Sequence, residues 1–183
     1  MENAINHLCH EFDFFIVTRN HDIGDTTPYL NIKLNQWQTM GNAKILYLDY
    51  KSSSLKNICA IVNSTPHDVT HLNSFFDPLT IKVLFGNKIK KCNNSTIMLS
   101  PRGEFGWASL RIRFYKKLVY ILISKLFGFF NEIKWHASTI HEKKDIMKIM
   151  YVKEDNIHIA RDLPVFESQN CKSVSSPAES TVI

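Results

Sequence analysis

Apolar positions along this chain fall into short, nearly unbroken runs separated by polar stretches. Six of these runs read as strands: "FDFFIVT" (12–18), "AKILYL" (43–48), "DVTHL" (68–72), "STIMLS" (95–100), "EIKWHA" (132–137) and "IHIA" (157–160). Most are continuous apolar or β-branched segments, the pattern of strands covered on both faces. Between several of them the spacing becomes helical. Leu55, Ile58, Cys59 and Val62 recur at i, i+3, i+4 and i+7, one stripe of an amphipathic helix. Asp77-Pro78 pairs an N-cap residue with a proline at the first helical position. A long helix is expected over about 109–130, with Leu110, Phe114, Leu118, Ile121 and Leu122 inward and a basic outer face. Thr139 and Glu142 have the spacing of a capping box, followed by a buried stripe of Ile146, Ile149 and Met150.

Strands alternating with helices at this interval predict an α/β fold, a Rossmann-like and mainly parallel sheet flanked by helices. Right-handed crossovers bring the loops that follow parallel strands to one edge of the sheet, where ligands bind. The polar breaks at 18–25, 73–77, 101–104 and 136–139 are therefore expected to line one cleft wall. That wall would hold Arg19, Asp22, Asp25, Asn73, Asp77, Arg102, Glu104, His136 and Ser138. Helices opening near Asp77 and Thr139 would aim their positive ends at it, which suits an anion. Gly103 lets the backbone approach a phosphate beside the Arg102 guanidinium, whose planar fork matches oxyanions. Glu104 or Asp22 could act as a base or hold sugar hydroxyls. The plainer readings make Asp77 an N-cap, Thr139 and Glu142 a capping box, and His136 a satisfied buried histidine. His67 and His71 fall in and beside a strand, so their spacing does not set up a zinc site.

Length and composition then narrow the class. The 183 residues, 44% hydrophobic and 21% charged, suit a globular domain that hides roughly 70% of its unfolded surface. One domain is expected over 1–164, followed by a disordered Ser-rich tail over 165–183. The net charge of +5 gathers at Lys88, Lys90 and Lys91 and again at Arg102, Arg111, Arg113, Lys116 and Lys117, which attracts anions. Neither zinc-finger spacing nor an RNA-binding motif accompanies it, so nucleic acid is not an expected partner. Cys9, Cys59, Cys92 and Cys171 form no CxxC pair, which fits a reducing compartment better than a disulfide framework. The N-terminus shows no secretory signal, and "LVYILISKLFGFF" (118–130) is too short for a bilayer span. Basic residues among the apolar ones over 109–130 suit a helix lying at a membrane surface as an alternative. The expected location is cytoplasmic, peripheral at the inner face of the membrane in that alternative.

Four segments in this order, "THLNSFFDPLTIKVL", "IMLSPRGEF", "IKWHASTIHEKKDI" and "NIHIARDLP", resemble the N-terminal domain of family 4 glycosyltransferases. The earlier "VTRNHDIGDTTPYLNIKLNQWQTMGNAKILYL" looks like the same group, so the likeness covers about 1–164. It implies the acceptor-side half of a GT-B fold, a nucleotide sugar as donor, a glycan or lipid-linked acceptor, and no metal or other cofactor. By the same resemblance Arg102 and Glu104 are catalytic candidates. Arg19, Asp22, Asp25, Asn73, Gly103, His136 and Ser138 are substrate-binding ones. The sequence departs from the family in lacking the first strand and its Gly-rich loop, and in Ile140 and Arg161. It stops where the linker to a donor-binding domain is expected. The resemblance therefore implies an acceptor-domain fragment with little activity alone. The alternative is a non-catalytic remnant that binds glycan or a membrane surface.

Overall fold

The structure, a computed structural model, describes residues 2–22, 25, 27–92, 96–161, 163 and 181–182, and the chain divides into two compact units. The first unit comprises Met1–Val69 with Leu163–Ile183. It contains α1 (Glu2–Leu8), β1 (Asp13–Arg19), β2 (Trp37–Met40), β3 (Ala43–Leu48) and α2 (Leu55–Ser64). β1 runs parallel to β3 from Phe14↔Ala43 to Arg19↔Leu48, and β2 returns antiparallel on the far side of β3. Ile5, Phe14 and Ala43 form a buried cluster with Leu8, Phe12, Ile16 and Ile45 against it. α2 buries the expected Ile58, Cys59 and Val62, and the Ser54 hydroxyl accepts from the Asn57 amide to cap it. Cys59 and Cys92 are buried free thiols, whereas Cys9 is disulfide-bonded, which goes against the expected reducing compartment without making a disulfide framework.

The second unit, Thr70–Asp162, takes in β4 (Val69–Asn73) from its second residue, then α3 (Pro78–Lys88), β5 (Thr96–Ser100), α4 (Trp107–Arg111), α5 (Phe114–Leu126), β6 (Lys134–Ala137), α6 (Ile140–Met150) and β7 (Ile157–Ile159). Its strands lie in the order β4-β5-β6-β7 as a parallel sheet flanked by helices, a Rossmann-like α/β arrangement. All six strands expected from the apolar runs are present, with ends shifted by at most two residues. The core of this unit is aromatic. Phe75, fully buried, packs its ring 4.7 Å from Phe105, 5.3 Å from Tyr120 and 6.2 Å from Trp135 between centroids. Each ring belongs to a different element or loop, so the cluster fixes the loops after β4 and β5 against β6.

The single helix expected over 109–130 is instead two. α4 ends at Arg111, and Arg113 adopts a left-handed backbone (φ 55°) before α5 begins. At the break Ser109 O accepts from the Ile112 amide at 3.3 Å and from Lys117 Nζ at 2.7 Å. α5 then stops before 130 because Gly128 takes φ 63°, with the Gly128 amide on Lys125 O and the Phe129 amide on Ser124 O. Those paired bonds are the Schellman closure that glycine permits at low cost. The expected inward stripe is also corrected: Ile121 is buried, but Phe114, Leu118 and Leu122 are exposed. Periodicity locates an apolar stripe but does not tell whether it faces the core or solvent.

Four elements were not foreseen: α1, β2, a 3-10 turn over Glu154–Asn156, and a two-residue strand, β8 (Thr181–Val182), parallel to β1. The tail expected to be disordered otherwise lies outside the described residues. No helix among the described residues is long and apolar enough to cross a membrane.

Candidate functional site

Parallel strands carry their loops to a common edge, and in the second unit that edge gathers the candidate residues. Asn73 ends β4, Arg102-Gly103-Glu104 follow β5, His136 is the penultimate residue of β6, and Ser138 begins the next loop. Arg102 (φ 53°) and Gly103 (φ 74°) are consecutive left-handed residues, which turns the chain sharply over the sheet edge. A Cβ added at Gly103 would meet nothing within 4 Å, so glycine is needed there for its backbone angle rather than for space. Arg102 donates from Nε and Nη2 to Asn73 Oδ1 at 3.2 and 3.1 Å. The exposed guanidinium is thereby held in one orientation across two strand ends.

Two carboxylates lock the loops. Glu104 accepts from the Ser74 hydroxyl at 2.7 Å and from the Phe75 and Phe76 amides at 2.5 and 3.3 Å. It thus anchors the "NSFF" loop, including Ser74 in its left-handed conformation (φ 87°). Glu142, buried at the start of α6, accepts from the Gly103 amide at 2.7 Å and from the Ser138 amide and hydroxyl at 2.8 and 2.7 Å. Burial alone works to raise the Glu142 pKa, but the hydrogen bonds from Ser138 and Gly103 and the charge of nearby His136 outweigh it, and the net shift is downward.

Both plainer readings of the helix starts are met. Asp77 caps α3 by accepting from the Leu79 amide at 2.7 Å, and Thr139 Oγ1 accepts from the Glu142 amide at 3.1 Å. The reciprocal arm of the capping box is displaced by one residue, since Glu142 reaches the amide of Ser138 rather than of Thr139. Each helix N-terminus thus already holds a carboxylate of its own chain.

Beneath this edge runs a hydrogen-bonded chain that the sequence reading missed. His136 Nε2 lies 3.0 Å from Ala160 O, and a carbonyl only accepts, so Nε2 carries a proton. In the neutral ring Nδ1 then accepts from the Ser100 hydroxyl at 2.8 Å, and the Ser100 oxygen accepts from His71 Nε2 at 2.7 Å. Burial, followed by the charges of His136 and Arg102, depresses the His71 pKa to about 4, which keeps that ring neutral near pH 7. The one available signal was positional, in that polar Ser100 follows the apolar run Ile97-Met98-Leu99.

Arg19, Asp22 and Asp25 belong to the first unit. Arg19 ends β1. Asp22 accepts from the Tyr29 hydroxyl at 2.6 Å, and Asp25 accepts from the Thr27 amide at 2.9 Å, so both carboxylates shape their own loop. The second unit brings together Asn73, Arg102, Gly103, Glu104, His136 and Ser138. It supplies an oriented cation, Arg102, on a rigid rim. No family model matches the chain, and no curated protein or solved structure proves similar to it.

Proposed function

We propose that this chain is a glycosyltransferase-type protein, with the second unit as part of an acceptor-side domain that positions a glycan or lipid-linked acceptor for transfer from a nucleotide sugar in cell-surface polysaccharide synthesis. The observation that carries the reading is the clustering of Asn73, Arg102, Gly103, His136 and Ser138 at the carboxyl edge of one parallel sheet. These residues come from three of the four segments that carry the family resemblance. In this role Arg102, permanently charged and held by Asn73, neutralises the charge that grows on the departing diphosphate. Transfer breaks the bond between the sugar's anomeric carbon and the phosphate oxygen and forms one to an acceptor hydroxyl, whose proton must be accepted.

The sequence offers two bases for that proton, Asp22 and, at this edge, Glu104. Its oxygens already accept from Ser74, Phe75 and Phe76, which favours a positioning role for Glu104 and gives weight to a second reading. In the second reading the unit binds glycan without turnover. Two measurements separate them: sugar transfer from a panel of nucleotide sugars, and calorimetric titration with oligosaccharides. Saturable glycan binding that falls in Arg102→Ala supports an acceptor site, and transfer marks an active enzyme. Binding of neither ligand class, with the fold intact, sinks both readings.

A further inference from the structure

Helix α5 turns most of its apolar residues outward. The side facing the interior of its unit carries Ile121 and Ser124, both buried, and Tyr120, whose buried hydroxyl has no hydrogen-bond partner. The side facing outward carries Tyr115, Leu118, Val119, Leu122, Ile123 and Leu126, all exposed; Leu122 is 57% and Leu126 83% accessible. At about 100° per residue these six cover a strip roughly 140° wide along the helix. Lys116 lies on one border of the strip and Lys125 on the other. Ile112 and Phe127 extend the apolar surface past both ends. Alongside, a groove of about 340 Å³ opens between α5 and the end of α6, with Ile149, Tyr151 and Lys148 on its far wall.

Charge identifies what such a face fits. Arg111, Arg113, Lys116, Lys117 and Lys125 stand in the segment from Phe105 to Asn131, which contains no Asp or Glu. Lys117 and Lys125 are tied inward, to Ser109 O and Ile149 O, while Arg111, Arg113 and Lys116 are exposed. A cation-bordered apolar strip with no anion complements a surface whose outermost layer is anionic and whose next layer is hydrocarbon. A bilayer containing acidic lipids has that layering. Exposed Trp107, Tyr115 and Tyr151 are side chains suited to the headgroup region.

We propose that α5 docks the protein onto an anionic lipid bilayer, lying in the plane of the interface with its apolar strip among the upper acyl chains and Arg111, Arg113 and Lys116 at the phosphates. Such a helix binds by apolar burial and charge attraction together. The face needs no sugar chemistry at Arg102, so failure of the transferase reading leaves it standing.

Sedimentation of the full chain with phosphatidylcholine vesicles, with and without phosphatidylglycerol, tests the assignment. The protein is expected to pellet with the anionic vesicles, to release as salt is raised, and to shift Trp107 emission to the blue. Leu122→Asp with Leu126→Asp should weaken binding at least about tenfold through lost apolar burial. Arg111→Gln with Lys116→Gln should weaken it roughly 30-fold, from two lost surface charges. Both pairs sit on the outer surface, so unchanged circular dichroism and melting are expected. Should the Asp pair fail to fold, the Gln pair still reads the charge dependence. Absent pelleting with anionic vesicles overturns the proposal, as does equal binding to neutral ones. A dimer that the Asp pair dissociates, without vesicle binding, assigns the face to a second copy and overturns it too.

Discussion

Helices α5 and α6 belong to the same unit and are of similar length, yet they treat their apolar residues in opposite ways. α6 turns Ile146 and Met150 inward with Glu142, and leaves His141, Lys144 and Lys148 in solvent. α5 buries little more than Ile121 and Ser124 and shows water a strip of leucine, isoleucine and valine. The first pattern is what folding requires of a sheet-covering helix, since one apolar stripe suffices to join the core. The second exceeds that requirement, and the excess faces outward. Apolar content thus reports core membership in α6 and surface chemistry in α5.

That contrast can be broken by measurement. Ile146→Ala, at a fully buried site, should lower unfolding free energy by about 3–4 kcal/mol in urea titration. Equal losses on truncating α5's outer strip would dissolve the distinction between the helices. Acid should loosen the sheet to which α6 is tied. Because the folded-state pKa of His71 is depressed to about 4, the unfolded chain takes up its proton first as pH falls from 6.5. Stability should therefore be full above that point and decline, by on the order of 3 kcal/mol at most, down to about pH 4. His71→Gln should flatten this slope; an unchanged slope refutes the assignment.

Smaller effects sharpen the comparison. Glu142→Gln should cost about 2 kcal/mol near neutral pH by weakening the grip on Gly103 and Ser138. Since the Glu142 pKa is lowered, the wild-type advantage should persist above pH 4.5 and fade as the solution is acidified below it. Gly103→Ala is expected to cost about 1 kcal/mol for its positive φ. At the bottom of the scale, Leu122→Ala should change stability by less than about 0.5 kcal/mol. Its effect belongs in the vesicle assay instead.

Much of the sheet is legible in the sequence alone. Continuous apolar runs marked all six principal strands, and Asp77 and Thr139 announced the starts of α3 and α6 through their capping chemistry. β2 escaped notice because Trp37–Met40 is mostly exposed and shows no apolar periodicity. At the candidate site, the meeting of Asn73 with Arg102 followed from the strand ends. The Glu104 contacts did not, because a carboxylate offered for chemistry and one spent on backbone amides look identical in a sequence. Glu142 was legible as a cap but not as the link from α6 to Gly103, a contact 39 residues away.

By itself the sequence determined where six of the strands and helices α2, α3 and α6 lie, because periodicity, proline and capping residues act over a few neighbouring positions. It also placed Asn73, Arg102, His136 and Ser138 at or beside strand ends, and so on the loops of one edge. Tertiary structure decided which way α5 faces, which carboxylates are already engaged, and that His71, Ser100 and His136 form one chain of hydrogen bonds. Those outcomes depend on contacts between residues distant along the chain, which local pattern cannot encode.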